Sequence, residues 1–146
     1  MQTNNSWPHD LSIKQVRIAR PTDNLEKVVQ FYTEGLGLEI LTSFKNHEGY
    51  DGVMIGLPGL DYHLEFTSFI EGSPCPAPTK DNLLVLYFEK MDDIDRIVNK
   101  FHNMGYPEVE PENPYWIGNS VTIEDPDGWR IVLFNGIGLK SLMRKI

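Results

Sequence analysis

One cysteine in 146 residues, Cys75, has no partner for an internal disulfide, and its place in the run SPCPAP marks it as an incidental loop thiol rather than a nucleophile. Basic residues are scarce too: 13 Lys and Arg stand against 21 Asp and Glu, a net charge of −8. That balance repels a phosphate backbone or an anionic bilayer, so nucleic acid and membrane surfaces drop out as general partners. No apolar run approaches the ~20 residues of a membrane span. The polar start MQTNNSWPHD lacks a basic segment followed by an apolar one, so no signal peptide is expected and a cytoplasmic address is the default. What is present is ordinary for a globular chain: 40% hydrophobic and 23% charged residues, on a length that suits one domain or two small modules sharing a core.

Patterning divides the chain into a loose arm (1–11), a first unit (12–69), a Pro/Gly/Ser/Thr-rich linker (70–81), a second unit (82–136) and a short amphipathic tail (137–146). Alternation from Ser12 to Arg20 predicts a strand with Gln15 and Arg17 on one side. Asp23, three residues before Glu26, has capping-box spacing, and Leu25, Val28, Val29 and Tyr32 repeat at helical spacing until Gly35 and Gly37. Three strands follow: Leu38 to Phe44, Tyr50 to Ile55, and Tyr62 to Phe69, the last with His63, Glu65 and Thr67 on one face. The order then recurs. Leu83 to Phe88 reads as a buried strand, Asp92 or Asp93 as the cap of a helix bearing Ile94, Ile97, Val98 and Phe101, and a short strand falls near Val109.

The unit closes on VTIEDPDGWRIVLF, a hairpin around Asp125-Pro126-Asp127-Gly128, where Pro126 presets φ and Gly128 can take φ > 0. Arg130, Val132 and Phe134 share one face of its second strand. The acidic turn lacks the further oxygen donors of a calcium loop and is read as turn chemistry. Two units of strand, helix and three strands, with helices about seventy residues apart, predict an α+β protein of two βαβββ modules forming an open, cup-shaped mixed sheet with helices outside.

Asn24-Leu25 through Phe31-Tyr32, then Gly35-Leu36-Gly37-Leu38, Leu64-Glu65-Phe66, and Glu124-Asp125-Pro126-Asp127-Gly128 carry a resemblance to the vicinal oxygen chelate superfamily. That superfamily groups glyoxalase I, bleomycin-resistance proteins and extradiol dioxygenases. The resemblance covers roughly residues 12 to 136 and implies a cup that is often completed across a homodimer. It also implies a divalent ion (Zn, Ni, Mn or Fe) held by the first and last strands of each module. Carried onto this chain, those positions are Gln15, Glu65, Asn82 or Leu83, and Val132. A valine has no lone pair to offer, so half of the usual set is missing and no cofactor is favoured.

His63 and Glu65, two apart on one strand, permit either a displaced metal site with Gln15 or a base and its orienting partner. They also permit a structural pair, the commoner role of a lone His and carboxylate, with Glu65 bridged to Arg17 or Arg130. Tyr115 and Trp116, before the final hairpin, with Tyr87 and Phe134, suggest the aromatic wall of a ligand pocket, and Arg17 and Arg130 would favour an anion. Trp129 reads as a core or interface residue, and His9, His47 and His102 as surface ones. Two classes stay open: a metal-independent binder of a small aromatic or anionic molecule, and a glyoxalase-like lyase, isomerase or dioxygenase with a displaced site at Gln15, His63 and Glu65.

Overall fold

The computed structural model describes residues 11–139; the N-terminal arm, with His9, and all but the start of the C-terminal tail lie outside the described residues. The first module runs β1 (Val16–Pro21), α1 (Leu25–Gln30), β2 (Glu39–His47), β3 (Tyr50–Gly56) and β4 (Tyr62–Phe69). The second runs β5 (Leu83–Phe88), α2 (Met91–Asn103), β6 (Glu108–Val109), β7 (Ser120–Glu124) and β8 (Arg130–Asn135). Each module is one mixed four-stranded sheet, ordered β1-β4-β3-β2 and β5-β8-β7-β6. In both, the first strand lies parallel to the last and the other neighbours are antiparallel, the α+β pattern expected of two βαβββ units.

β1 starts four residues later than the alternation suggests. Its only partner among the described residues is β4, which begins at Tyr62, so Val16 is the first residue with a strand opposite it and Gln15 precedes the ladder, exposed. Pro21 is tolerated at the strand's end because β1 is an edge. β2 runs on to His47, with register shifts between Ile40 and Thr42 and between Phe44 and His47.

The helix caps also differ from the spacing argument. Asn24 is the first cap and makes no side-chain cap bond, while the Asp23 carboxylate instead accepts the Ser73 amide from the linker. Lys90 precedes α2, and Asp92 and Asp93 lie inside its first turn, where acidic groups complement the helix dipole. α1 continues into a wide π-type turn over Phe31–Gly35, closed by the Leu36 amide donating to the Phe31 carbonyl. Gly37 then reverses the chain at φ +90.

One core joins the modules. Val28 and Phe31 of the first helical segment, Ile94 and Phe101 of α2, Ile55 of β3, Leu64 and Phe66 of β4, and Ile131 and Leu133 of β8 form a single buried cluster. The Phe31 and Phe101 rings sit 4.4 Å apart at its centre. Leu64 and Phe66 commit one face of β4 to this core, and Ile131 and Leu133 commit one face of β8. The opposite faces carry the residues of functional interest.

Candidate functional site

On the first sheet's open face the β1–β4 register sets Arg17 beside His63 and Ala19 beside Glu65. Arg17 Nε donates to His63 Nε2 at 2.9 Å, and its Nη1 lies 3.6 Å from Glu65 Oε2. Arg17 is 46% exposed and Glu65 14%, whereas His63 is buried at 6%. In this contact His63 Nε2 is the acceptor, its lone pair directed at Arg17. Among the described residues His63 Nδ1 is the one buried side-chain polar atom without a hydrogen-bond partner. The small void beside His63, about 20 Å³, is lined mainly by Leu38, Ile55, Leu57, Leu84 and Leu86.

The second sheet's face away from the shared core is aromatic at one end. Tyr87 and Phe134, strand partners on β5 and β8, have ring centroids 5.5 Å apart. Trp116, on a short turn of 3-10 helix (Pro114–Trp116), lies 5.9 Å from Phe134, and Tyr115 lies 4.9 Å from Trp116. Asn113 fixes that turn by accepting the Tyr115 amide, as Asn-Pro sequences do. Tyr87 and Tyr115 are 41% and 54% exposed, so the row presents ring surface to solvent. A groove of about 410 Å³ runs alongside, between Glu108 to Pro111 and Trp116 to Thr122.

Arg130 is on the same face but is 5% exposed; its Nε donates to Glu124 Oε2 at 3.0 Å and its Nη1 to the Glu110 carbonyl at 3.0 Å. Two of its nitrogens are thereby engaged in holding the β6–β7 side of the sheet, the structural alternative for this residue. Among the described residues no hydrogen bond, ion pair or ring contact links the Arg17/His63/Glu65 group to the Tyr87/Tyr115/Trp116/Phe134 group.

The residues present do not fit the divalent ion that the fold implies. Val132, in the fourth ligand position, is a fully buried hydrocarbon; of the two residues at the third, Leu83 has no lone pair and Asn82 turns its Oδ1 to the Thr79 hydroxyl at 2.6 Å. Glu65 and the Nε2 lone pair of His63 both face a guanidinium, which a second cation would have to displace. Gln15 stands before the ladder, and no three His, Cys, Asp or Glu side chains converge among the described residues.

The shifted acids lie elsewhere, at the junction of the modules, and sequence reasoning missed their common partner. Arg20 donates to Asp125 and, at 2.7 Å, to Asp127, while its guanidinium lies 5.0 Å from the Phe66 ring and 5.2 Å from the Trp129 ring. Tyr32 donates to Asp125 at 2.8 Å, and Thr22 and Asn24 donate to Asp127 at 2.7 and 2.9 Å. Burial pushes the Asp125 carboxyl up despite Arg20 and Tyr32, and burial with the Asp125 charge pushes Tyr32 well up, keeping the phenol a donor. Burial acts on Asp127 as well, but the bonds from Thr22, Arg20 and Asn24 prevail and hold it below the usual range. Trp129 caps this cluster and donates Nε1–H to the Cys75 carbonyl at 2.7 Å, so it is a junction residue. Beside it a cavity of about 250 Å³ opens between β1/β4 and β5/β8.

Comparison with known proteins agrees with this architecture. Residues 16–67 match the family model of the YycE-like N-terminal domain, and residues 81–135 that of the YycE-like C-terminal domain. The uncharacterized protein YycE of Bacillus subtilis is 54% identical over 127 residues, 87% of this chain and 91% of its own length. A crystal structure of B. subtilis YycE, of unknown function and grouped with glyoxalases and fosfomycin resistance proteins, superimposes with a TM-score of 0.84 at 53% identity, over 88% of this chain and 93% of that one. The fold alone is shared with the trypanothione-dependent glyoxalase I of Leishmania major (TM-score 0.68, 21% identity, 93% and 92% covered). It is likewise shared with TnmS3, an antibiotic binding protein from Streptomyces sp. CB03234 (TM-score 0.60, 24% identity, 86% and 96% covered).

Proposed function

Because the chain belongs to the YycE-like family, within the vicinal oxygen chelate superfamily, we propose that it binds a small planar molecule, aromatic or anionic, without a protein-bound metal. The observation that carries this reading is the row Tyr87, Phe134, Trp116 and Tyr115, each ring in contact with the next and the outer two open to solvent. Exposed aromatic surface beside a groove is what a planar ligand needs: large apolar contact at little conformational cost, with polar neighbours to fix its orientation. Arg17 supplies the cationic group on the other sheet.

A homodimer belongs to the same reading, because a second copy can bring the Arg17 face of one chain against the aromatic face of the other. TnmS3, an antibiotic binding protein, shares this fold. The enzymatic alternative, a lyase, isomerase or dioxygenase using Gln15, His63 and Glu65, has the metal misfit against it.

The test is calorimetry of a panel of planar aromatic carboxylates, sulfonates and neutral heteroaromatics against the chain, with and without EDTA. Binding is expected to persist in EDTA and to weaken about tenfold or more in Trp116→Ala, in line with the loss of a buried interfacial tryptophan. Affinity that vanishes with EDTA, or that Trp116→Ala leaves unchanged, would overturn the proposal.

A further inference from the structure

We infer that Arg17 is a built-in cation occupying the place that this fold offers to a divalent ion, and that removing its guanidinium opens His63 and Glu65 to metal. Three observations converge. Arg17 is the strand partner of His63, so its side chain is delivered to the imidazole by backbone register rather than by chance on a mobile loop. Its Nε–H sits on the Nε2 lone pair at 2.9 Å, the electron pair a metal would take. Its Nη1 end faces the Glu65 carboxylate at 3.6 Å, so one planar group spans the nitrogen and oxygen donors together.

The remaining polar atom of the imidazole supports this. His63 Nδ1 is buried and without a partner. An imidazole placed only for structure has its second nitrogen satisfied as a rule, because an unpaired buried polar atom is costly. The ring is therefore held by Arg17 on one side alone, through Nε2. A guanidinium presents a planar fork of donors to both groups at once, where a lysine would offer a single point charge.

The inference rests on reading the site as one without metal, and its test uses no organic ligand, so its failure is separable from failure of the aromatic-ligand proposal. Nickel chloride is titrated into the untagged full chain by calorimetry, with metal content measured after dialysis, for wild type, Arg17→Met, Arg17→Lys and Arg17→Met with His63→Ala. Arg17→Met keeps the aliphatic stem on a half-exposed edge-strand residue, and Arg17→Leu serves as a second apolar replacement.

Arg17→Met is expected to bind nickel at least tenfold more tightly than wild type. Arg17→Lys is expected to stay near wild type, and the double variant to fall back to the background of the surface histidines. Two results would overturn the inference. One is a wild type that binds one ion through His63 as tightly as Arg17→Met does. The other is that neither apolar variant gains affinity while its thermal unfolding transition stays intact.

Discussion

Between the rings of Phe66 and Trp129, the Arg20 guanidinium meets both carboxylates of one turn, and Asp125, with a side chain 0% exposed, has no water to fall back on. Removing the cation leaves a buried charge unpaired, the costly half of a buried ion pair. Arg20→Met is therefore expected to lower the unfolding free energy by roughly 3–5 kcal/mol, read from urea denaturation; a loss under about 1 kcal/mol would mean that the pair behaves as a surface one.

The two acids respond to pH with opposite sign. Asp127 has a folded pKa below its unfolded value, so its contribution is present above about pH 4 and is lost as the pH falls through the folded value. Asp125 is raised, so its contribution is present below the unfolded pKa and lost as the pH rises through the folded one. Asp127→Asn isolates the first: the gap in urea midpoint between wild type and the variant should be wide near about pH 6 and shrink toward about pH 3. A gap that stays constant would remove the carboxylate's charge as its origin.

At this scale the sequence was partly readable. DPDG announces its turn, and the turn's own bonds are there, from the Gly128 amide to the Asp125 carbonyl and from the Asp125 amide to the Trp129 carbonyl. Nothing local announces that the same aspartates gather Arg20, Thr22, Asn24 and Tyr32 from about a hundred residues away. The only cue was parity, since Arg20 shares the Ile18 side of its strand, a face otherwise apolar.

Among the elements, the junction of the two helical segments is the tightest. A Cβ built on Gly35 would lie 2.1 Å from an edge carbon of Phe101, so the glycine is there for close approach, beside a ring that is fully buried. Its role as a helix terminator is shared with Gly37, which takes the positive φ. Gly35→Ala is expected to cost about 1–3 kcal/mol, as overpacking does in a dense core. Phe101→Leu should absorb part of that penalty, so the two changes measured together should cost less than their sum. Strict additivity would show that the helices can part without strain.

The elements themselves were the most legible level, because hydrophobic period is a local signal: among the described residues, eight strands and both helices stand within a few residues of their patterns. What the pattern cannot carry is which strand pairs with which, and β1 shows the consequence. Its alternation extends back to Ser12, but its ladder starts only where β4 supplies a partner, and Gln15 lost its place in the site for that reason. His63 and Glu65, set by parity within one strand, share a face and lie beside Arg17, whereas the capping box at Asp23 yielded to the Ser73 amide of the linker.

For the whole molecule, one unanswered contact among the described residues is β1. As an edge strand it has one paired side, and it exposes Val16 at 47% and Ile18 at 56%, with Tyr62 of β4 at 47% beside Val16 in the register. Unpaired strand edges with apolar side chains invite a partner, and proteins that remain monomeric blunt them with charge. On the proposed reading a second copy covers this edge and brings its aromatic row toward Arg17. Ile18→Glu should then halve the particle mass seen by light scattering, from twice the 16.7 kDa chain to once, while leaving far-UV circular dichroism unchanged, because an exposed position tolerates charge. Complementation asks the same question of the ligand. If each site takes Arg17 from one chain and Trp116 from the other, Arg17→Met and Trp116→Ala chains, each weak alone, regain one intact site per mixed dimer when unfolded and refolded together. A monomeric wild type, or a mixture no better than its parents, would instead confine the site to a single chain, and the aromatic row would have to bind its ligand without help from Arg17.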